Sequence, residues 1–370
     1  MPLSLEEVLR EHWPDFARRN RARLAAAHYR AVRAVLRCRT EALGGNLYEC
    51  AHCHTKHYAY HSCNHRSCPQ CGALDQQRWC ATQEARLLPG VPYFLVTFTI
   101  PDSLRPVCKA HPAILYDLLL RESAGAMQDL ARTKLGGRLG FTSILHTWGR
   151  PMQHHPHIHI VVPAVALDTT TRTLRHPRDP DKFLLHETPL ALRFRNRLDI
   201  ALKTRHPDIH RHLSPQARRD LDATKWRVDC QPVGQGRPAL RYLARYIYTT
   251  ALGANRILGY TNDGRIRLSY QDSNTGRRGV AALQPDTFIG RFLTHVLPKG
   301  FVRVRHYGWM SGAARKDRLL VRCLACGEIG EPTPKILEVP KPRCPHCGLP
   351  LTPVGRLEPL RFKRGPPSTP

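Results

Sequence analysis

The sequence predicts an α+β protein with a central antiparallel sheet, flanking helices and two small zinc-binding modules. Three observations carry that expectation. Short runs of β-branched and aromatic residues alternate side-chain character and are stopped by turn residues. Longer stretches between them repeat apolar residues at helical spacing. Four Cys-x2-Cys pairs, Cys50/Cys53, Cys68/Cys71, Cys323/Cys326 and Cys344/Cys347, sit in segments punctuated by Gly and Pro.

Residues 5–37 read as helical. Leu5, Val8, Leu9, Trp13, Phe16, Leu24, Ala27, Val32 and Leu36 recur near helical spacing, and Pro14 is expected to break or start a helix. Arg18, Arg19, Arg21 and Arg23 form either a solvated face or one that touches phosphate. The pairs Cys50/Cys53 and Cys68/Cys71 are 14 residues apart, a spacing that lets two tight turns aim four sulfurs at one zinc, with Gly72 suiting the second turn. Cys63 is a possible extra zinc ligand, and Cys38, His52, His54 and His57 are spare donors.

Residues 74–88 read as a helix, Tyr93–Ile100 as a strand stopped by Pro101, and 112–134 as a helix. Gly140–Trp148 is a strand that leads through Gly149-Arg150-Pro151 into a second strand, 153–163, so the two are expected to form a hairpin. Helices follow at 189–204 and 214–223, then a strand at Lys225–Val233. Gly234-Gln235-Gly236 is a loop without the flanking pattern of a nucleotide cradle. The helix Ala239–Thr250 places Tyr242 and Tyr246, at i and i+4, on one face. Two strands are expected within 264–284, a helix at 285–296 and a basic strand at Phe301–Tyr307. Cys323/Cys326 and Cys344/Cys347, 17 residues apart and followed by Gly327 and Gly348, read as a second zinc ribbon. Residues 353–370 are basic and Pro-rich and read as a disordered tail. The expected domains are 1–90 (helical, zinc-binding), 91–315 (sheet and tyrosine helix), 316–352 (C-terminal ribbon) and the tail 353–370.

Lys and Arg number 57 against 29 Asp and Glu, a net charge of +28. Such an excess makes nucleic acid the expected partner. No apolar run reaches the roughly 18–20 residues of a membrane span, and Met1–Glu7 lacks the profile of a signal peptide. A cytoplasmic chain without a membrane partner is expected, and there thirteen cysteines point to metal sites before disulfides.

The most informative stretch is Gln153–Pro163. Ile158 and Ile160 alternate with His157 and His159, so two imidazoles share one strand face about 7 Å apart while the other face can enter a core. His146 on the preceding strand is the candidate third ligand of a metal held by His157 and His159. A histidine metal site, paired tyrosines and a basic chain together suggest phosphodiester cleavage by a tyrosine hydroxyl. The ion would polarise the phosphate, and attack on phosphorus would leave a 5′-phosphotyrosine and a free 3′-OH. Tyr246 and Tyr242 are the candidate nucleophiles. Arg241 and Arg245 beside them, with Arg256, Arg303 and Arg305, are candidate DNA contacts.

At these residues the chain resembles the His-hydrophobic-His endonuclease transposases of rolling-circle insertion sequences, the insertion-sequence-ninety-one family. The resemblance runs from about residue 10 to about 315. It rests on Cys38–Gly45, Ser67-Cys68-Pro69-Gln70-Cys71, Tyr93–Pro101, Leu145–Gly149, His155–His159, Tyr242–Tyr246 and Leu297–Gly308. It implies a zinc-binding N-terminal domain and an HUH-type nuclease domain whose histidines bind Mg²⁺ or Mn²⁺, with structural Zn²⁺ elsewhere. It also implies a bacterial, nucleoid-associated DNA transposase acting through single-stranded transposon ends and target, with His157 and His159 as metal ligands and Tyr242 and Tyr246 as nucleophiles. Ser67 stands where relatives often carry His. Three other readings share part of this pattern: a replication initiator or relaxase, a histidine-triad nucleotide hydrolase working without metal or tyrosine, and a non-catalytic zinc-ribbon DNA binder.

Overall fold

The computed structural model describes residues 3–149, 151–222, 226–248, 252–253, 255–271, 276–335 and 341–360. Along the first part of the chain run α1 (Leu5–Arg19), α2 (Ala26–Arg37), β1 (Gly45–Cys50), β2 (Lys56–Tyr60), α3 (Ala73–Ala85), β3 (Tyr93–Thr99), α4 (Arg105–Ala110) and α5 (Pro112–Lys134). The middle holds β4 (Arg138–Trp148), β5 (His154–Pro163), β6 (Ala166–Asp168), β7 (Thr173–Arg175), α6 (Glu187–Arg205), α7 (Pro207–Arg211), α8 (Pro215–Asp222), β8 (Arg227–Pro232) and α9 (Arg237–Tyr248). The last part holds β9 (Ile257–Tyr260), β10 (Ile266–Gln271), β11 (Arg278–Leu283), α10 (Pro285–Thr294), β12 (Val304–Gly308), α11 (Arg315–Cys326) and β13 (Leu351–Leu357). None of the described helices is long and apolar enough to cross a membrane.

The chain divides into two compact units. The first comprises Met1–Asp75, Tyr248–Val296 and Ile336–Pro370. Its opening helix starts with a reciprocal cap: Glu7 N–H donates to Ser4 Oγ (3.1 Å) and Ser4 N–H to Glu7 Oε2 (2.7 Å). Contrary to the sequence expectation, α1 neither begins nor breaks at Pro14 but runs through it. Burial of Leu5, Val8, Leu9 and Phe16 on both sides of the proline offsets the lost hydrogen bond. Two three-stranded antiparallel sheets complete the unit, in the orders β13-β1-β2 and β11-β10-β9. The pairing of β13 with β1 corrects the expectation of a disordered tail from 353: residues 353–357 are strand, because their backbone finds partners in Gly45–Tyr48. Residues 361–370 of that expected tail lie outside the described residues.

The second unit comprises Gln76–Ile247 and Leu297–Lys335. It is built on a seven-stranded antiparallel sheet in the order β7-β6-β4-β5-β3-β8, with β12 also paired to β4. The expected hairpin is present as β4 and β5. Alternation gives the sheet two faces with different jobs. On one, Phe94, Val96, Phe98, Phe141, Leu145, Ile158, Ile160 and Val162 are buried in a single core with Leu115, Leu119 and Met127 of α5 and Phe194 and Leu198 of α6. Phe98 meets Phe194 edge to face at 5.1 Å between ring centroids. The opposite face carries Thr97, His146, His157 and His159.

Candidate metal centre and tyrosine helix

The register of three adjacent strands assembles the histidines. On β5, His157 lies opposite His146 of β4 and Thr99 of β3, while His159 lies opposite Ile144 and Thr97. Directly opposed residues share a face, so the hairpin places His146 beside the alternating pair. One ligand nitrogen from each of His146, His157 and His159 falls within 4.8 Å of the others. The rings stand nearly perpendicular to one another, with centroids 4.5–5.0 Å apart. Trp148, two residues beyond His146, stacks on it at 5.5 Å with 15° between planes.

Hydrogen bonds fix which nitrogens are offered. His157 Nδ1 lies 2.7 Å from the carbonyl of His155. A carbonyl only accepts, so Nδ1 carries the proton and Nε2 presents a lone pair. That Nε2 is 3.3 Å from His146 Nδ1. The Thr97 hydroxyl engages His159 Nδ1 at 3.0 Å, leaving His159 Nε2 as the atom on offer. Outer partners of this kind orient metal-binding imidazoles in general. Burial holds all three rings neutral: His146 and His159 are pushed well below the usual histidine value, and His157 is lowered to about 4. Three convergent neutral imidazoles fit a divalent cation, which requires deprotonated ligands.

The other two histidines of the run do not join this group. Tyr116 OH meets His154 Nε2 at 2.8 Å, and Arg105 Nη2 donates to His155 Nδ1 at 2.6 Å. Sequence reasoning passed over Thr97, Tyr116 and Arg105. Only register and packing reveal them, since each comes from an element distant in sequence.

The helix α9 lies on the same unit as this sheet. Pro238 occupies its first turn, where the missing N–H costs nothing. Ala239, Leu240, Leu243, Ala244 and Ile247 form its buried stripe, which turns Tyr242 outward, 38% exposed. The Tyr242 ring is 6.3 Å from that of His159, edge to face at 83°. Tyr246 follows one turn later on the same helix; its side chain and that of Arg245 lie outside the described residues. Of the candidate DNA contacts, Arg241 donates to Glu84 (2.8 Å) and Arg305 to Asp117 (2.7 Å). The Arg303 charge helps to disfavour protonation of His146. In the first unit, Arg256 Nε donates to the Ser269 carbonyl at 2.9 Å.

The cysteines of the first unit fall into two groups of four, and neither is the grouping that spacing suggests. Cys38, Cys63, Cys68 and Cys71 form one; Cys50, Cys53, Cys344 and Cys347 form the other. In the first, Cys71 Sγ is 3.4 Å from Cys38 Sγ and 3.6 Å from Cys63 Sγ. The Cys68 thiol hydrogen-bonds to Cys63 and holds it down to about 5, while burial pushes Cys38 up to about 11. In the second, Cys50 meets Cys347 at 3.4 Å and Cys53 meets Cys344 at 3.6 Å. Each Cys-x2-Cys turn ends in a left-handed residue: His54 (φ 53°), Gly72 (φ 89°) and Gly348 (φ 73°). Both groups have the four-sulfur composition of closed structural zinc sites.

Cys323 and Cys326 belong to neither group, which corrects the expected C-terminal ribbon. They lie in the last turn of α11, where Gly327 is the left-handed helix cap and donates to the Cys323 carbonyl at 2.8 Å. Cys326 Sγ contacts the Pro89 carbonyl at 3.5 Å. The glycine that reads as the end of a zinc turn is therefore the end of a helix.

The chain is similar to known proteins over most of its length. Residues 8–100 match the family described as "Transposase zinc-binding domain", and residues 140–318 match the one described as "Putative transposase". The chain is 32% identical over 341 residues to "Putative transposase y4qJ" of Sinorhizobium fredii, spanning 86% of this chain and 83% of the relative. It is 28% identical over 353 residues to the "Transposase for insertion sequence element IS801" of Pseudomonas savastanoi pv. phaseolicola, spanning 86% of this chain and 81% of the relative. No solved structure matches.

Proposed function

Because the chain belongs to the insertion-sequence-ninety-one family of transposases, DNA-cleaving enzymes of DNA transposition, we propose that it nicks and rejoins single-stranded DNA at transposon ends by rolling-circle transposition. The observation that carries this reading is the convergence of His146, His157 and His159 within 4.8 Å, with the Tyr242 ring 6.3 Å from His159. In this reading the second unit is an HUH-type nuclease with His157, His159 and His146 as its metal-holding residues. A divalent ion there would supply positive charge to the scissile phosphate as negative charge builds on it. An all-imidazole donor set suits an ion softer than Mg²⁺, so Mn²⁺ is the better fit of the two.

The chain's own groups do the rest. The hydroxyl oxygen of Tyr242, or of Tyr246 one turn on, forms a bond to phosphorus as the P–O3′ bond breaks. The tyrosine proton is lost and the departing 3′ oxygen gains one, giving a 5′-phosphotyrosine and a free 3′-OH. A 3′-OH from a second strand reverses the step and joins the ends, so no nucleotide cofactor is consumed. His155 and Thr97 orient the imidazoles through the contacts at 2.7 and 3.0 Å. Arg241 is largely exposed, and its ion pair with Glu84 is weak enough at the surface to be exchanged for phosphate.

The test is incubation of the purified protein with labelled single-stranded DNA from the ends of its own element and Mn²⁺, followed by denaturing gel and peptide mapping. A covalent adduct on Tyr242 or Tyr246 is the expected result. DNA that is bound yet never linked or nicked, with the substrate ends verified, would refute the nuclease reading and leave a DNA-binding protein.

A further inference from the structure

The zinc-binding unit carries a second exposed feature that the nuclease reading does not use. Strand β2 is the edge of the sheet β13-β1-β2. Alternation sends His57 to one face, where its Nε2 lies 3.4 Å from Cys344 Sγ at the second cysteine group. It sends Lys56, Tyr58 and Tyr60 to the other face. All three are exposed, Tyr58 by 61% and Tyr60 by 37%. Two exposed aromatic rings on an edge strand are a liability unless they serve an interaction.

We propose that Lys56, Tyr58 and Tyr60 form a stacking platform for single-stranded DNA. The proposal rests on the reading that this transposase handles single strands. The rings occupy alternate positions of one strand, about 7 Å apart, so that each can take the face of a base. Only a single strand offers those faces, because in a duplex they are covered by neighbouring base pairs. Charge complements the occupant. The segment 33–66 around the strand holds Arg33, Arg37, Arg39, Lys56 and Arg66 against Glu41 and Glu49. Arg39 sits at the end of β2, its N–H donating to the His61 carbonyl at 3.1 Å. Glu49, across from Lys56, lies 3.6 Å from His54. The strand's other face is tied through His57 to the cysteine group, so the platform is rigid before DNA arrives, and little ordering is required on binding.

The experiment uses the full, zinc-loaded chain without cleavage. Binding of fluorescent oligo(dT) is compared with binding of an abasic oligonucleotide of the same length, for wild type, Tyr58→Ala, Tyr60→Ala and the two Tyr→Phe variants. Wild type should prefer oligo(dT). Each Ala variant should lose about tenfold in oligo(dT) affinity while keeping its zinc and its affinity for the abasic strand. The Phe variants should bind as wild type. An independent measurement avoids substitution: ultraviolet crosslinking of a bromodeoxyuridine oligonucleotide to wild type should map to the peptide His57–Arg66. Unchanged oligo(dT) binding in the Ala variants, no preference of wild type for bases, or crosslinks only elsewhere would each overturn the platform. Because binding is read without nicking, its failure is separable from that of the nuclease reading. A chain with Ala at His157 and His159 should show the same tyrosine dependence.

Discussion

The grouping of Cys50 and Cys53 with Cys344 and Cys347 makes a quantitative prediction about the C-terminal segment. Replacing Cys344 and Cys347 by Ser removes two of the four sulfurs of that group and leaves the group of Cys38, Cys63, Cys68 and Cys71 whole. Zinc content should therefore fall from two ions per chain to one. The structure also indicates what else holds this segment. Its apolar cluster is small, with Cys50, Cys344 and Leu351 buried and Tyr48 and Cys347 packed against them. Burying one leucine contributes about 2 kcal/mol, whereas a structural zinc contributes on the order of 10 kcal/mol of folding energy. The metal outweighs the packing, so β13 should detach from β1 when the site is lost. The assay is zinc stoichiometry by mass spectrometry together with limited proteolysis, which should newly cleave within 341–360. The matched control is Cys323→Ser with Cys326→Ser, which should retain both ions because those residues end a helix. A Cys323/Cys326 control that loses one ion, as the Cys344/Cys347 variant does, would refute the interleaved grouping and restore the ribbon read from spacing.

Three further predictions concern the histidine centre. His157→Ala combined with His159→Ala should abolish nicking in a gel assay while DNA binding in a filter or anisotropy assay persists; nicking that survives would remove the metal role. Thr97→Val deletes the hydroxyl that engages His159 Nδ1 and should weaken Mn²⁺ affinity by about 10–100-fold with an unchanged melting temperature in metal-free protein; calorimetric titration showing wild-type affinity would exclude the orienting role. The pH dependence has a definite sign. Burial depresses the folded-state pKa of His157 to about 4 and of His146 and His159 well below 6.5, so between pH 6.5 and 4 the unfolded chain binds protons that the folded chain does not. Stability of the metal-free protein should therefore be full above pH 6.5 and decline as pH falls, by up to about 1.4 kcal/mol per pH unit for each such histidine. Replacing His146 by Asn should flatten that decline in a series of thermal melts, and an unchanged slope would count against buried neutral imidazoles.

Much of the histidine site was legible because it is local. The alternation of Ile158 and Ile160 with His157 and His159 needs no knowledge of the rest of the chain, and the short link 149–153 leaves β4 and β5 little choice but a hairpin, which brings His146 opposite His157. The helix Pro112–Lys134 was equally plain from its apolar repeat. What escaped were contributions from elements that only the sheet order brings near. Thr97 reads as one more β-branched residue until β3 is known to pair with β5 on the side away from β4.

The cysteines show the limit more sharply, since their local signal was strong and its usual extension was wrong. A Cys-x2-Cys-x-x turn needs a residue that accepts positive φ, and Gly72 and Gly348 announce it; His54 does the same work without a glycine, its N–H donating to the Cys50 carbonyl at 2.9 Å. Gly327 gives the identical announcement for Cys323 and Cys326, yet it ends α11, because a helix C-cap and a zinc turn demand the same left-handed residue after the same carbonyl. Spacing alone then joins each pair to its nearest neighbour in sequence. The chain instead closes one group with Cys38 and Cys63 and the other across nearly its whole length. The pairing of β1 with β13 brings Cys50 opposite Leu351, within reach of Cys344 and Cys347. Partner choice among four such pairs is a matter of sheet topology, and topology has no signature within any one pair.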